Sequence, residues 1–259
     1  MLTLITQVGG LIWLLSLLVC RVAFRKIKQY RWGLNLGIFL ALYLIFTLLV
    51  IPPIARYLGR VPLPIVQHSY IRPLTIGTCL LNRHYVRPEL LKSTLAVSNN
   101  LQRDHPHTII AYLDASFPFW NGFPLLPHLS HDDGKKLDIA LFYRNSSTGE
   151  EINASAPSFI GYGAFEGPRE GEVNTPERCR KEGYWQYSFL QYLVPHRKGY
   201  TFDLKRTRLL VRLFAQQATT RRIFIEPHLK QRLSLRSPKI RFHGCKAVRH
   251  DDHIHVEMR

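Results

Sequence analysis

Acidic residues are scarce in this 259-residue chain: 18 Asp and Glu stand against 35 Lys and Arg, a net charge of +17. The first 51 residues hold five basic residues and no acidic one. So basic a surface favours polyanions such as nucleic acid, anionic lipid or an anionic wall polymer. The basic residues are scattered rather than gathered in an arm and no nucleic-acid motif occurs, so no nucleic-acid partner is expected. Cysteine is also sparse, at Cys20, Cys79, Cys179 and Cys245. None forms a CxxC pair, which argues against a cysteine zinc knuckle. Cys20 falls in an apolar run. The other three either stay free or supply one disulfide in an oxidising compartment, with three pairings open. No internal repeat or low-complexity tract occurs, and 46% hydrophobic content argues against wholesale disorder.

What is abundant is apolar sequence near the start. Residues 2–20 and 33–51 are two nearly unbroken apolar runs, each close to the ~20 residues that cross a bilayer as a helix. Neither shows the polar stripe of a soluble helix. A signal peptide fits poorly, because the first residues carry no positive charge and no A-x-A site precedes the basic segment. Residues 1–52 therefore read as a transmembrane hairpin that contacts lipid through two helices. Its basic loop, residues 21–32, stays in the cytoplasm by the positive-inside rule, with everything after it outside. Pro52-Pro53 is expected to end the second helix. Residues 53–70, with prolines at 52, 53, 62 and 64 in or beside them, read as a stiff stalk.

Residues 71–259 read as one α+β domain, an antiparallel sheet with flanking helices. Helices are expected over Pro88–Gln102 and from a cap at Asp203 to about Gln217, with Leu210, Val211 and Phe214 facing the core. Strands are expected over Thr108–Phe117, Leu137–Tyr143, Arg222–Glu226 and Asp252–Met258. Residues 145–200 read as long loops.

Two histidine clusters stand out. The first is His128-Leu-Ser-His131-Asp-Asp-Gly134-Lys-Lys-Leu-Asp138; the second is His250-Asp-Asp-His253-Ile-His255. On a strand, positions i and i+2 share a face, so His253 and His255 present two imidazoles together. Asp138 lies between apolar neighbours on a strand, where a carboxylate is costly unless paired or metal-bound. Imidazole and carboxylate are the usual non-thiolate zinc ligands, and a catalytic zinc takes three of them.

These two motifs, in this order, resemble the penicillin-insensitive murein endopeptidases of the lysostaphin / D-Ala-D-Ala metallopeptidase superfamily. Arg222-Ile-Phe-Ile-Glu-Pro-His-Leu-Lys-Gln is similar to the family's segment before its last motif. The resemblance covers roughly residues 105–143 and 203–259. It departs at Ala247-Val248-Arg249, where the family usually has a Trp-Gly-like run, and in the hairpin anchor, because the family is mostly soluble and exported.

The resemblance implies a Zn2+ held by His131, Asp138 and His255, with His253 as the catalytic histidine and His250 and His128 as further active-site residues. It implies a hydrolase that cuts D-alanyl–meso-diaminopimelyl cross-links between peptidoglycan stem peptides on the periplasmic side of the inner membrane. The alternatives are a D-Ala-D-Ala carboxypeptidase or dipeptidase of the same superfamily, and a non-catalytic wall-binding scaffold. Glu257, on the same strand face, is a rival base. Asp251 and Asp252 are read as turn caps rather than as holders of histidine tautomers. Gly134 turns the chain from His131 back into the Asp138 strand. Tyr162, Phe165 and Trp185 are read as core or loop packing rather than as walls of a substrate cleft. His68, His84, His105, His107, His196, His228 and His243 receive no role.

Overall fold

The computed structural model describes residues 1–25, 31–66 and 70–259. Lys26 and Lys28 of the basic loop, and His68, lie outside the described residues. The first apolar run forms a short turn of helix, Leu2–Thr6, and then α1, Gly9–Ala23. The second forms α2, one continuous helix over Arg31–Tyr57. Among the described residues, α2 is the helix long and apolar enough to cross a membrane; α1 is apolar but shorter. The two helices pack together. Trp13 sets its ring against Phe39 at 5.2 Å, and Ser16 Oγ donates to Asn35 Oδ1 at 3.3 Å.

Helix α2 does not stop at Pro52-Pro53. A π-helical turn at Phe46–Val50 precedes the prolines, and the Ile51 N–H reaches back five residues to Phe46 O. The prolines then occupy the first turn of the segment Ile51–Tyr57, and the wider turn ahead of them accommodates the i→i−4 bonds that their missing N–H groups cannot make. Nor is the following segment a free stalk. Val61–Pro62 pairs with Tyr85–Val86, and Leu63 is buried in the domain core. Fully buried Arg60 draws that segment inward. Its guanidinium donates to Phe117 O, to Asn121 Oδ1 at 2.6 Å and to Asp132 O at 3.0 Å.

The domain is built on a six-stranded sheet. Its strands are β1 (Ile71–Pro73), β2 (Ile110–Tyr112), β3 (Lys136–Ala140), β4 (Thr220–Phe224), β5 (Ile240–Arg241) and β6 (His253–Met258). Across the sheet the order is β5-β4-β6-β3-β2-β1. The central pairs are antiparallel as expected, but both edge pairs, β5 with β4 and β1 with β2, are parallel. The sheet is therefore mixed. The strand expected over Thr108–Phe117 shortens to β2: Leu113 and Asp114 still exchange backbone bonds with Asp138 of β3, but the chain then turns away, Ala115 N donating to Arg83 O and Ser116 N to Tyr85 O.

Alternation along the strands divides the residues between two faces. Leu137, Ile139, Ile223, Ile254 and Val256 face the core. Two helices cover them. One is Pro88–Asp104, with Leu90, Val97 and Leu101 fully buried. The other is Leu204–Gln216, which buries Leu210, Val211 and Phe214. Asp203 caps the second helix as expected, accepting from the Lys205 and Arg206 amides at 3.1 Å. The opposite face of β3 and β6 carries Asp138, His253 and His255. Residues 145–200 contain little regular structure beyond Glu151–Ile152 and Tyr200–Phe202, which both pair with Tyr143–Asn145, and two short helices. One of these, Thr175–Lys181, is tied by a Cys179–Cys245 disulfide to the loop before β6; Cys20 and Cys79 are free and buried.

Candidate metal centre

Strands β3 and β6 pair with His255 directly opposite Asp138 and His253 opposite Ala140. That register brings Asp138 Oδ1 to 2.9 Å from His255 Nδ1. His131 enters from the loop before β3. Gly134, at φ +79°, turns that loop back into the strand, in a conformation that favours glycine. His131 Nε2 then stands 3.2 Å from Asp138 Oδ1 and 3.0 Å from His255 Nδ1. On the other carboxylate oxygen, His128 Nδ1 lies at 3.1 Å and the Tyr162 hydroxyl donates at 2.9 Å.

His128, His131 and Asp138 form a buried group that could hold a metal ion. A second trio shares two of its members, with His255 in place of His128. This trio gathers at Oδ1: His131 Nε2, His255 Nδ1 and Asp138 Oδ1 lie 2.9 to 3.2 Å from one another. His128 instead meets Oδ2, beside the Tyr162 hydroxyl. The sequence-based ligand set therefore comes together in space, and His128 lies nearer the carboxylate than its assignment as a further active-site histidine required.

Hydrogen bonds orient each member. His131 Nδ1 donates to Ala115 O at 2.6 Å, so in the neutral ring Nε2 carries the lone pair. Tyr162 is more than packing. Its hydroxyl accepts from the Asp114 amide at 3.2 Å while donating to Asp138. His253 Nδ1 hydrogen-bonds Asp252 Oδ1, and Asp252 Oδ2 accepts from the Gly163 amide at 2.6 Å. Asp252 thus holds a histidine tautomer, which corrects its reading as a turn cap. Asp251 bonds Arg249 and lies 3.4 Å from His228, anchoring the loop ahead of β6. His253 Nε2 and both ring nitrogens of His250 are buried without a hydrogen-bond partner.

Burial works to raise the Asp138 carboxyl, but the imidazoles of His131, His253 and His128 outweigh it and hold it well below the usual carboxylate range. Burial holds His128 and His250 well below the ordinary imidazole range. It also acts to lower His253, but Asp138 and Asp252 overcome it and raise that ring to about 9.

Glu257 does not reach this site. It sits at the far end of β6, 3.1 Å from both Arg221 and Arg222, which removes it as a base. Three contributors escaped the sequence reading. Asp114 lies in the apolar stretch Ile-Ala-Tyr-Leu-Asp-Ala-Ser-Phe, the same signal that marked Asp138. His243 stacks on Phe224 at 3.9 Å and faces His250 at 5.2 Å; no local pattern marks it. Arg83 pairs with Asp114 at 2.8 Å. A cavity of about 330 Å³ opens beside the cluster, lined by Thr78, Leu81, Pro127 and Phe165 together with His128, Tyr162 and His253. No protein-family model and no curated protein matches the chain.

Proposed function

We propose that this protein is a membrane-anchored zinc peptidase that hydrolyses D-alanyl–meso-diaminopimelyl cross-links outside the cytoplasm. The observation that carries the proposal is the convergence of His131 Nε2, Asp138 Oδ1 and His255 Nδ1, with mutual distances of 2.9 to 3.2 Å. Ligands about 2 Å from a tetrahedral zinc lie roughly 3.3 Å apart, so the trio fits that ion to within a few tenths of an ångström. The lone pair on His131 Nε2, facing a carboxylate oxygen, also calls for a cation or a proton between them. When bound, zinc supplies Lewis acidity toward a carbonyl and makes a water acidic enough to ionise near neutral pH.

The rest of the chemistry belongs to side chains. Asp252 accepts the Nδ1 proton of His253 and so turns Nε2 toward the site. The neutral ring can take a proton from the attacking water at Nε2, and the charged ring, favoured up to about pH 9 by Asp138 and Asp252, is the acid that returns it to the leaving amine. Tyr162 and His128 orient Asp138 through Oδ2. His250, buried beside His253 with a ring separation of 5.0 Å, is set to steady charge developing on the scissile carbonyl.

The location rests on three features. Helix α2 is long and apolar enough to span a bilayer. The basic residues between the helices favour a cytoplasmic loop. The Cys179–Cys245 disulfide suits an oxidising compartment. The basic surface suits an anionic polymer, and stem peptides carry free carboxylates.

The test is to incubate the full-length protein in detergent with isolated muropeptides and follow the products by mass spectrometry. Cross-linked dimers should become monomers, with a chelator blocking the reaction and penicillin leaving it untouched. Release of D-alanine from monomeric pentapeptide with dimers intact would point to a carboxypeptidase. Turnover of neither by the zinc-loaded protein would leave a wall-binding scaffold.

A further inference from the structure

The domain is fastened to the side of the hairpin rather than beyond its end. The Tyr43 hydroxyl, inside α2, donates to Leu80 O at 2.7 Å and accepts from Asn82 Nδ2 at 3.2 Å. Gln7 Oε1 accepts from the Phe119 amide at 2.9 Å. Ile51 and Ala55 of α2 are buried in one apolar cluster with Tyr85, and Phe119 packs against it. From Arg31 to Tyr43 the helix rises roughly 18 Å at ~1.5 Å per residue, against a hydrocarbon core about 30 Å thick. The stretch of α2 clear of the domain is therefore too short to span by itself. Above Tyr43, α2 still exposes Leu48 and Leu49, and half-exposed Ile54 lines an apolar groove with Phe119 of the domain.

Two segments of the domain border the hairpin at this height. One is the short helix Ile76–Leu80; the other is the loop that runs from Phe119 to His128 and His131. They carry Ile76, Leu80, Trp120, Leu126 and Leu129, exposed by 39 to 59%. Lone exposed apolar residues are ordinary, but five carried by two segments that border an apolar helix pair make an apolar rim. The same segments supply Gly77, Thr78, Pro127 and His128 to the cavity beside the metal cluster.

We propose that this rim is seated in the bilayer, in the headgroup and upper acyl region, so that the cavity opens at the membrane surface. The proposal rests on the hairpin spanning the membrane, and the experiment separates the two. The full chain is reconstituted in vesicles of phosphatidylglycerol and phosphatidylcholine, the latter brominated on its acyl chains near the headgroup. One variant keeps Trp120 alone, with Trp13, Trp32 and Trp185 each replaced by Phe. A second keeps Trp13 alone. Bromolipid should quench the Trp120 emission by roughly twofold or more relative to unbrominated vesicles, as for a side chain in the aromatic belt. Quenching of Trp13 without Trp120 would show the hairpin inserted and the domain standing clear, overturning the proposal. Quenching of neither would overturn it by removing the hairpin reading beneath it.

Discussion

Asp138 and His255 face each other across two antiparallel central strands, with Oδ1 of one 2.9 Å from Nδ1 of the other. Each is almost fully buried. A carboxylate there needs compensating positive charge, and removing one partner leaves a desolvated group unpaired. Zinc content therefore discriminates the two overlapping trios. His131→Ala and His255→Ala should each abolish stoichiometric zinc in elemental analysis, whereas His128→Ala should retain it with affinity about 10-fold to 100-fold lower. Loss of zinc in His128→Ala with retention in His255→Ala would exchange their roles.

Asp252 and His253 act as a pair on this geometry. His253→Ala should keep the metal and lower muropeptide turnover by roughly 10²-fold to 10⁴-fold. Asp252→Asn should also keep it, but should reduce turnover mainly through kcat, because an amide can stabilise the wrong ring tautomer. An Asp252→Asn enzyme with wild-type kcat and pH profile would return Asp252 to the role of a turn cap.

Glu226 gives a pH signature apart from the metal. It is fully buried, accepting from the His250 amide through Oε1 while Oε2 has no partner. Burial, aided by Asp251, raises its carboxyl to about 8. A folded pKa above the unfolded value of 4.5 means the native state binds the extra proton. Its contribution is present below about pH 4.5 and is lost as pH rises toward 8, with a total on the order of 5 kcal/mol at most. Chemical denaturation from pH 5 to 8 should show wild-type stability falling more steeply than that of Glu226→Gln. Parallel curves would refute the assignment.

Topology is accessible through Ser147, which lies in an exposed turn. Ser147→Cys should be combined with Cys20→Ser and Cys79→Ser, leaving the Cys179–Cys245 bond oxidised. The new thiol should react with an impermeant reagent in intact spheroplasts. Labelling only after lysis would invert the hairpin and remove the wall as substrate.

The disulfide closes 66 residues of chain. Cys179→Ser with Cys245→Ser should lower stability by at most about 4 kcal/mol on loop-closure grounds. Unchanged denaturation midpoints for oxidised and reduced protein would show that the bond contributes nothing.

The sequence by itself determined what depends on neighbours along the chain. Strand alternation put His253 and His255 on one face, the apolar flanks of Asp138 marked it as a buried carboxylate, and Asp203 announced its helix. The apolar runs marked the two packed N-terminal helices, one of them long and apolar enough to cross a membrane. Tertiary structure alone decided what depends on distant partners. It set His255 against Asp138 across 117 residues and brought the Tyr162 hydroxyl to the same carboxylate. It gave Asp252 to His253, drew Glu257 away to Arg221 and Arg222, and selected Cys179 and Cys245 from three possible pairs. It also carried α2 through Pro52-Pro53, because the π turn and the docking of Ile51 and Ala55 on the domain outweigh a local stop signal. Periodicity is written in the order of residues, whereas register, pairing and docking follow from which buried groups meet once the core has formed.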